Sequence, residues 1–274
     1  MKIERIWKVY FSPAGSTRLI MSRLADKIGK VLGLTVHTHD YTLPTRRERK
    51  MEFEETDLVL WGTPVYAGRI PNKTLPYVQH FFEGHGAMAV PVVAFGNRSF
   101  DNSLIELKNE LENNRFHVVA AGAVVSRHSF SKILAEGRPD LEDWKKLDQF
   151  ADNIVKKVVG LTDWGMGVNV PGDNPPNQYY TPKGLDGETT VFLKAVPQTD
   201  LNKCDACSVC IKICPMSAIE KNDPSKVTGT CIKCQACVLR CPQQAKYFDD
   251  KAFLSHVAML ERDFTRRAEP AFFL

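Results

Sequence analysis

Cysteine is absent from most of this chain. The chain has 274 residues, and no cysteine occurs before Cys204 or after Cys241. All eight cysteines therefore lie in the segment from Cys204 to Cys241. A disulfide framework would suit a short secreted chain, but nothing at the N-terminus resembles a signal peptide. We therefore expect reduced cysteines and a cytoplasmic protein, and the oxygen sensitivity of such a site suits an anaerobe.

Long apolar runs and a strong excess of one charge are also missing. The longest apolar run, Ala87–Phe95, is interrupted by Pro91 and is far shorter than a membrane span. The net charge of +4 is too small to indicate nucleic-acid binding. We expect no membrane span and no nucleic-acid partner, while the oligomeric state stays open. The length suffices for one large domain and one small one.

Every cysteine belongs to one of two matching runs. Both runs read Cys-x-x-Cys-x-x-Cys-x-x-x-Cys-Pro. The first begins at Cys204 and the second at Cys231, and we call the step between these two positions the repeat offset. The matching runs indicate an internal duplication, and their short spacing lets three thiolates come from one tight loop. A structural zinc site normally uses one or two Cys-x-x-Cys pairs, often with histidine, so zinc is the weaker interpretation.

The runs resemble those of bacterial two-cluster ferredoxins, in which the fourth cysteine of each run binds the other cluster. The resemblance implies two [4Fe-4S] clusters with crossed ligands. The first cluster would be held by Cys204, Cys207, Cys210 and Cys241. The second would be held by Cys231, Cys234, Cys237 and Cys214. One departure is Lys246, which stands where the first run has Ile219; its charge is expected to tune one cluster's potential relative to the other's.

The chain up to Gly160 alternates β-prone and amphipathic segments. Strands are predicted at 6–12, 34–39, 58–61, 90–95 and 118–125. Apolar residues at helical spacing predict helices between them, including one over 20–32 that ends at Gly33 and one over 141–158. This alternation predicts an α/β fold: a five-stranded doubly wound parallel sheet in flavodoxin-like order, with a ligand beyond the carboxyl ends of the strands.

The loop after the first predicted strand has the composition of an anion site. It consists of Ser12, Pro13, Ala14, Gly15, Ser16 and Thr17. A helix N-terminus favours an anion, the hydroxyl groups add donors, and glycine allows a close backbone approach. The alternative is an ordinary helix cap, for which Ser and Thr are favoured anyway. A P-loop is excluded because no Gly-Lys-Ser/Thr follows.

This half of the chain resembles flavodoxins, whose phosphate loop reads Ser/Thr-x-Thr-Gly-x-Thr and holds FMN. Here Ala14 replaces the middle threonine, which removes one hydroxyl contact. Two further loops fall where flavodoxins hold the flavin ring. The resemblance implies FMN contacts from Thr63, Pro64, Val65, Tyr66, Ala67, Gly68, Gly96, Asn97, Arg98, Phe100 and Asp101. Tyr66 is expected to pack on the ring, and Gly96 and Asn97 to line its polar edge.

Two other groups of residues allow more than one interpretation. His128 follows the last predicted strand at the same rim, and is either a proton donor to a substrate or a structural hydrogen-bonding residue. No other catalytic residue is predicted. A basic run between the second and third strands is interpreted as a solvated surface, with a docking site for an acidic redox partner as the alternative. The run comprises Arg46, Arg47, Arg49 and Lys50.

The whole chain resembles the flavodoxin–ferredoxin fusion proteins of anaerobic bacteria and archaea. The resemblance implies a flavodoxin-like FMN domain at 1–162, a linker and docking segment at 163–199, a small α+β two-[4Fe-4S] ferredoxin domain at 200–250, and a C-terminal helix and tail at 251–274. We further expect a short strand at 189–196 and a helix over 251–266. The tail at 272–274 either packs on the domain junction or binds a partner.

The implied cofactors, FMN and two [4Fe-4S] clusters, suggest the function. The primary hypothesis is a low-potential electron carrier that interconverts one- and two-electron flow, with proteins as electron donor and acceptor. The alternative is an FMN-dependent reductase of a small-molecule acceptor near Tyr66, Arg98 and His128, with the clusters as electron entry. A third possibility is the activation of a corrinoid or radical enzyme. No second nucleotide domain is found, so direct use of NAD(P)H is not expected.

Overall fold

The computed structural model describes residues 2–161 and 167–274. The end of the predicted first domain and the start of the predicted linker, at 162–166, lie outside the described residues, as does Met1. The strands are β1 (Arg5–Tyr10), β2 (Val36–Asp40), β3 (Met51–Glu52), β4 (Asp57–Pro64), β5 (Phe82–Glu83), β6 (Met88–Phe95), β7 (His117–Val118), β8 (Ala121–Val125), β9 (Gln198–Thr199), β10 (Lys246–Tyr247) and β11 (Ala271–Phe273). The α-helices are α1 (Ser16–Leu32), α2 (Leu75–His80), α3 (Ser103–Asn113), α4 (Leu141–Gly160), α5 (Val209–Lys212), α6 (Ala236–Leu239) and α7 (Lys251–Asp263), and a 3-10 turn covers Pro44–Arg46.

One large sheet organises the first half of the chain. Its strand order is β2-β1-β4-β6-β8-β11, with β7 beside β6. All neighbours are parallel except β11, which runs antiparallel to β8. Numbered along the chain, the five long parallel strands follow the order 2-1-3-4-5, which is the flavodoxin-like order. The predicted flavodoxin-like α/β fold is therefore confirmed, but within the described residues the sheet has seven strands instead of five.

Helices cover both faces of this sheet. The apolar sides of α1 and α4 form one core with β1, β4 and β6, and α2 and α3 form a second core on the opposite face. Strand β6 is buried at every position, because a parallel strand covered on both sides has no solvent-facing side chains. The helix predicted over 20–32 is confirmed, and Gly33 ends it in a left-handed conformation with φ 68°.

Several predicted boundaries need correction. Strand β1 ends at Tyr10, so Ser12 belongs to the following loop. The strand predicted at 118–125 is divided into β7 and β8. The strand predicted at 189–196 is wrong, because that segment forms only one isolated bridge, between Lys183 and Thr189. Helix α7 ends at Asp263, before the predicted end at 266.

The C-terminal tail extends the large sheet. Strand β11 pairs with β8, and Phe272 stacks on Phe150 with ring centroids 4.4 Å apart. Gly122 allows this approach, since a Cβ there would lie 3.1 Å from Phe272. Of the two interpretations of the tail, the structure supports packing, at the sheet edge.

The eight cysteines lie in a small unit, residues 198–250, which we call the cysteine module. It contains the antiparallel pair β9–β10 and the short helices α5 and α6, which pack together and begin one repeat offset apart. The backbone repeats at this offset, because three pairs of non-glycine residues have matching positive φ angles. The pairs are Ala206 (56°) and Lys233 (57°), Ser208 (60°) and Gln235 (63°), and Ser217 (48°) and Gln244 (49°).

The cysteine module contacts the sheet half through long-range hydrogen bonds. Arg47 donates from Nη2 to the carbonyl of Pro215 at 2.5 Å, next to Cys214. It also donates to the carbonyls of Tyr41 and Thr42, and burial lowers its pKa. For Arg47 the prediction of a solvated surface residue is therefore wrong. In the described ranges, every helix is too short or too polar to span a bilayer.

Candidate functional site

A cavity of about 500 Å³ lies between the large sheet and the cysteine module. On the sheet side, its wall is built by the loops that follow β1, β4, β6 and β8. On the other side, the wall is the segment 230–234 of the cysteine module. Residues of α7 and of the segment 167–197, which we call the connector, complete the wall between these two sides. The cavity therefore lies at the carboxyl edge of the parallel strands, where ligands bind in open α/β sheets.

The loop 12–17 is arranged to bind an anion. Gly15 precedes α1 with φ 98°, and the first turn of that 17-residue helix contains no acidic residue. Among the described residues, the backbone N–H groups of 14–17 have no hydrogen-bond partner. Ser12 stabilises the loop, because its hydroxyl oxygen accepts from the N–H of Arg18 at 2.9 Å and its own N–H donates to Thr42 Oγ1 at 2.8 Å. Free N–H groups at the start of a helix attract phosphate or carboxylate.

The turn after β4 brings Tyr66 close to the second cysteine run. Tyr66 and Arg69 exchange backbone hydrogen bonds of 2.8 and 3.1 Å, which closes the turn. Burial raises the pKa of Tyr66 well above its usual value, and the nearby thiols of Cys234 and Cys231 raise it further. The half-buried Tyr66 ring therefore lies where the cavity meets the cysteine module.

Most of the residues predicted to bind FMN line this cavity. They are Ser12, Pro13, Ala14, Gly15, Ser16, Thr17, Pro64, Val65, Tyr66, Ala67, Gly68, Gly96 and Arg98. Their shared position means that one site can use all three predicted loops.

Four predicted residues do not reach the wall of the cavity. Thr63 is buried at the end of β4, and Phe100 packs on Phe95. Asp101 binds Arg98. The side chain of Asn97 holds the C-terminal tail: Nδ2 donates to the carbonyls of Phe264 and Arg266, both at 2.7 Å, and Oδ1 accepts from the N–H of Ala268 at 3.1 Å.

The far wall contains residues that the sequence patterns did not indicate. They include Tyr180 and Phe192 of the connector, Lys233 of the cysteine module and His256 of α7. Arg98 stacks over the Tyr180 ring at 4.1 Å, and the buried His256 shares a 2.8 Å hydrogen bond with the carbonyl of Lys183. No aspartate or glutamate is among the described residues that line the cavity, so its wall is cationic and aromatic.

His128 is held as a neutral hydrogen-bonding residue. Its ring packs against Gly96, where a Cβ would collide with the imidazole, and Nδ1 accepts from the N–H of Phe130 at 3.2 Å. Burial lowers the pKa of His128 to about 4, with smaller contributions from His256 and Arg98. A group with this pKa is a poor acid near neutral pH, which favours the structural interpretation over proton donation.

Cys214, Cys231, Cys234 and Cys237 surround one small cavity. These four are the cysteines that the ferredoxin resemblance assigns to the second cluster, including the one from the first run. Burial raises the pKa of Cys237 to about 12, with further increases from Cys231 and Cys214. Cys214 likewise acts on Cys231 and Cys234, so the four thiols are close neighbours.

The remaining cysteines form a more exposed group. Burial raises the pKa of Cys210, and the nearby thiol of Cys204 raises it further. Cys207, in contrast, is exposed. The side chain of Gln243 donates to Asp205 Oδ2 at 3.0 Å, which holds the turn after Cys241 against the first run.

The fourth cysteine of each run accepts a backbone hydrogen bond at its sulfur. The thiol of Cys214 accepts a hydrogen bond from the N–H of Ala218 at 3.2 Å, and Cys241 accepts one from Ala245 at 3.3 Å, so this contact also recurs at the repeat offset. N–H groups directed at sulfur stabilise cluster thiolates. No three His, Cys, Asp or Glu side chains in the described part of the chain converge on one metal ion. A cubane does not need that geometry, because each of its thiolates binds a different iron. The donor set fits two [4Fe-4S] clusters.

No protein-family model and no curated protein matches the chain. Solved flavodoxin structures match part of the chain. One from the domain Archaea is 11% identical over 57% of this chain and 99% of its own, with a TM-score of 0.41. A Streptococcus pneumonia flavodoxin is 19% identical over 56% and 98%, with a TM-score of 0.40. Flavodoxin 2 from Bacillus cereus is 14% identical over 56% and 99%, with a TM-score of 0.44.

The neutral state of the partly buried His128 predicts a loss of stability in acid. Its folded-state pKa of about 4 lies below the unfolded value of about 6.5, so the unfolded chain takes up a proton that the folded chain does not. Stability is therefore lost as the pH falls from about 6.5 towards 4. Between pH 7 and pH 5.5, we expect a loss of about 1 kcal/mol through this residue, measured by anaerobic urea unfolding. His128→Asn should lose less than the wild type, and the exposed-site control His80→Asn should behave as the wild type. Equal losses in all three proteins would contradict the assignment.

Proposed function

We propose that this protein is an electron carrier that binds FMN in the large cavity and two [4Fe-4S] clusters in the cysteine module. One observation carries the proposal: Cys231 and Cys234 line both the large cavity and the small cavity of the second cysteine group. A cluster bound there and a flavin in the large cavity would be neighbours. When bound, the clusters supply one-electron chemistry and FMN supplies one- or two-electron chemistry.

The residues of the sheet half would bind and orient the flavin. The loop 12–17 offers free N–H groups and the hydroxyls of Ser16 and Thr17 to the phosphate. The turn 64–68 and the loop at Gly96 approach with backbone, and Tyr66 supplies an aromatic face beside Cys231 and Cys234. Gly68 leaves room for Asp101, since a Cβ there would collide with its carboxylate.

The two cysteine groups differ in exposure, and this difference suggests an order of electron flow. Cys207 of the first group is exposed, whereas Cys234 of the second group is buried next to the cavity. A protein partner could reach the first group at the surface, and the second group would then connect it to the flavin. The carrier role requires no nucleophile or general base. Reduced cysteine ligands suit a reducing compartment such as the cytoplasm.

The second candidate function is an FMN-dependent reductase. The observation that favours it is the lining of the cavity, which includes Arg98 from the sheet side and Lys233 from the cysteine module but no carboxylate among the described residues. Such a wall suits an anionic small-molecule acceptor. A carrier turns over only with protein partners, whereas a reductase consumes the small acceptor by itself.

Replacing Gly15 tests the flavin site. Gly15 has φ 98°, which a β-branched side chain does not tolerate, so Gly15→Val should distort the anion-binding loop and abolish FMN binding. The matched control is Gly137→Val: Gly137 also has a positive φ of 73° with open space around it, but it does not line the cavity. Flavin content per chain of the purified proteins is the readout. Full flavin content in Gly15→Val would contradict the assignment of the flavin site.

Replacing Cys214 tests the crossed cysteine groups. Cys214 belongs to the first run but lies with Cys231, Cys234 and Cys237. Cys214→Ala should therefore damage the cluster nearer the flavin and leave the exposed one, while Cys204→Ala should do the reverse. Iron content and electron paramagnetic resonance (EPR) spectra of the reduced proteins distinguish the two outcomes. Identical spectra for the two variants would refute the crossed arrangement.

A further inference from the structure

Lys246 is a buried cation without an acidic partner. It lies in β10 with 3% of its surface exposed. Its Nζ donates to Thr199 Oγ1 at 2.6 Å and to the carbonyl of Pro224. Both acceptors are neutral, and Lys246 forms no ion pair with any residue that the structure describes. Burying an ammonium group costs several kcal/mol unless a negative charge compensates it.

The candidates for the negative charge that compensates Lys246 are the cysteine thiolates. Burial raises the pKa of Cys210 and of Cys237, whereas the positive charge of Lys246 lowers the pKa of both thiols. Cys210 belongs to the exposed cysteine group and Cys237 to the buried group. The packing agrees, because helix α6, which carries Cys237, packs both on β10 and on α5, which carries Cys210. One ammonium group is therefore close to both groups.

The repeated backbone makes this charge unusual. The residue that corresponds to Lys246 in the first run is Ile219, one repeat offset earlier, and it is also buried, with 4% exposed. The two halves of the cysteine module thus share a backbone but differ in one buried charge. Packing alone would be satisfied by an apolar residue at both positions.

Other charges in the cysteine module are placed differently. Lys203 pairs with Asp200 and Lys226 pairs with Asp223, and both lysines are exposed, so solvent screens them. Lys233 is half-buried beside Cys231, with its Nζ directed to the carbonyls of Leu193 and Cys231. Lys246, in contrast, is buried and acts on Cys210 of the first group and on Cys237 of the second.

We propose that Lys246 is a shared counter-charge for the two clusters, and that it raises the reduction potential of both. The inference rests on the proposed cluster binding. Adding an electron to a cluster increases its negative charge, and a fixed cation in a low-dielectric interior stabilises that added charge. This role differs from the expectation that Lys246 tunes one cluster relative to the other. By favouring reduction of both, it lets the pair hold two electrons at the same time.

The test is an anaerobic redox titration followed by EPR, after iron and sulfide have been measured. Lys246→Gln keeps hydrogen-bond donors for Thr199 and Pro224 but removes the charge. We expect both cluster potentials to shift to more negative values. Lys246→Arg keeps the charge and should stay near the wild type, and the exposed control Lys226→Gln should not change either potential.

The outcomes separate this inference from the proposed function. Unchanged potentials in Lys246→Gln, or a shift of only one cluster, would overturn the shared role. If Lys246→Gln fails to hold clusters but Lys246→Arg holds them, the requirement is for charge, and the inference stands. Loss of clusters from both variants would show that shape matters instead, and would overturn it. A wild-type protein without clusters would refute the proposed function itself.

Discussion

The adjacency of the β4–α2 turn and the second cysteine run is the constraint on which the rest of the site depends. Tyr66, Cys231 and Cys234 line the same cavity there, at the carboxyl edge of the sheet. Electron transfer between bound cofactors slows steeply with distance. A loop that can hold a flavin and a cysteine group that can hold a cluster are useful together only if the fold keeps them adjacent.

The chain keeps these two segments adjacent because the cysteine module is attached to the sheet half before its first residue and after its last. Before the module, the connector follows the loops of the sheet half, with the N–H of Tyr180 bonded to the carbonyl of Ala67 at 2.8 Å. After the module, the tail returns to the side chain of Asn97 and then joins the sheet as β11. Arg47 adds a third attachment at Pro215. The distance between the large cavity and the cysteine module is thus set by the fold of the whole chain.

Local patterns predicted much of this arrangement. Period-two and helical spacing located the long strands and helices, because burial on the sheet or on one helix face repeats along the sequence. The cysteine spacing indicated the two groups, and the structure places Cys214 among the second run. The sequence patterns did not predict the contacts made by four features, namely Asn97, Arg47, His256 and β11. Their roles arise from contacts with residues far away in the sequence, and such contacts leave no local period.

The central proposal is that a flavin and a cluster exchange electrons within a single chain. The direct test is rapid reduction of the clusters under anaerobic conditions, with the cluster and flavin absorbance bands followed together at several protein concentrations. We expect cluster reduction to be followed by flavin reduction, at a rate that does not depend on protein concentration. A flavin reduction rate that rises with protein concentration, or a protein without flavin, would contradict it.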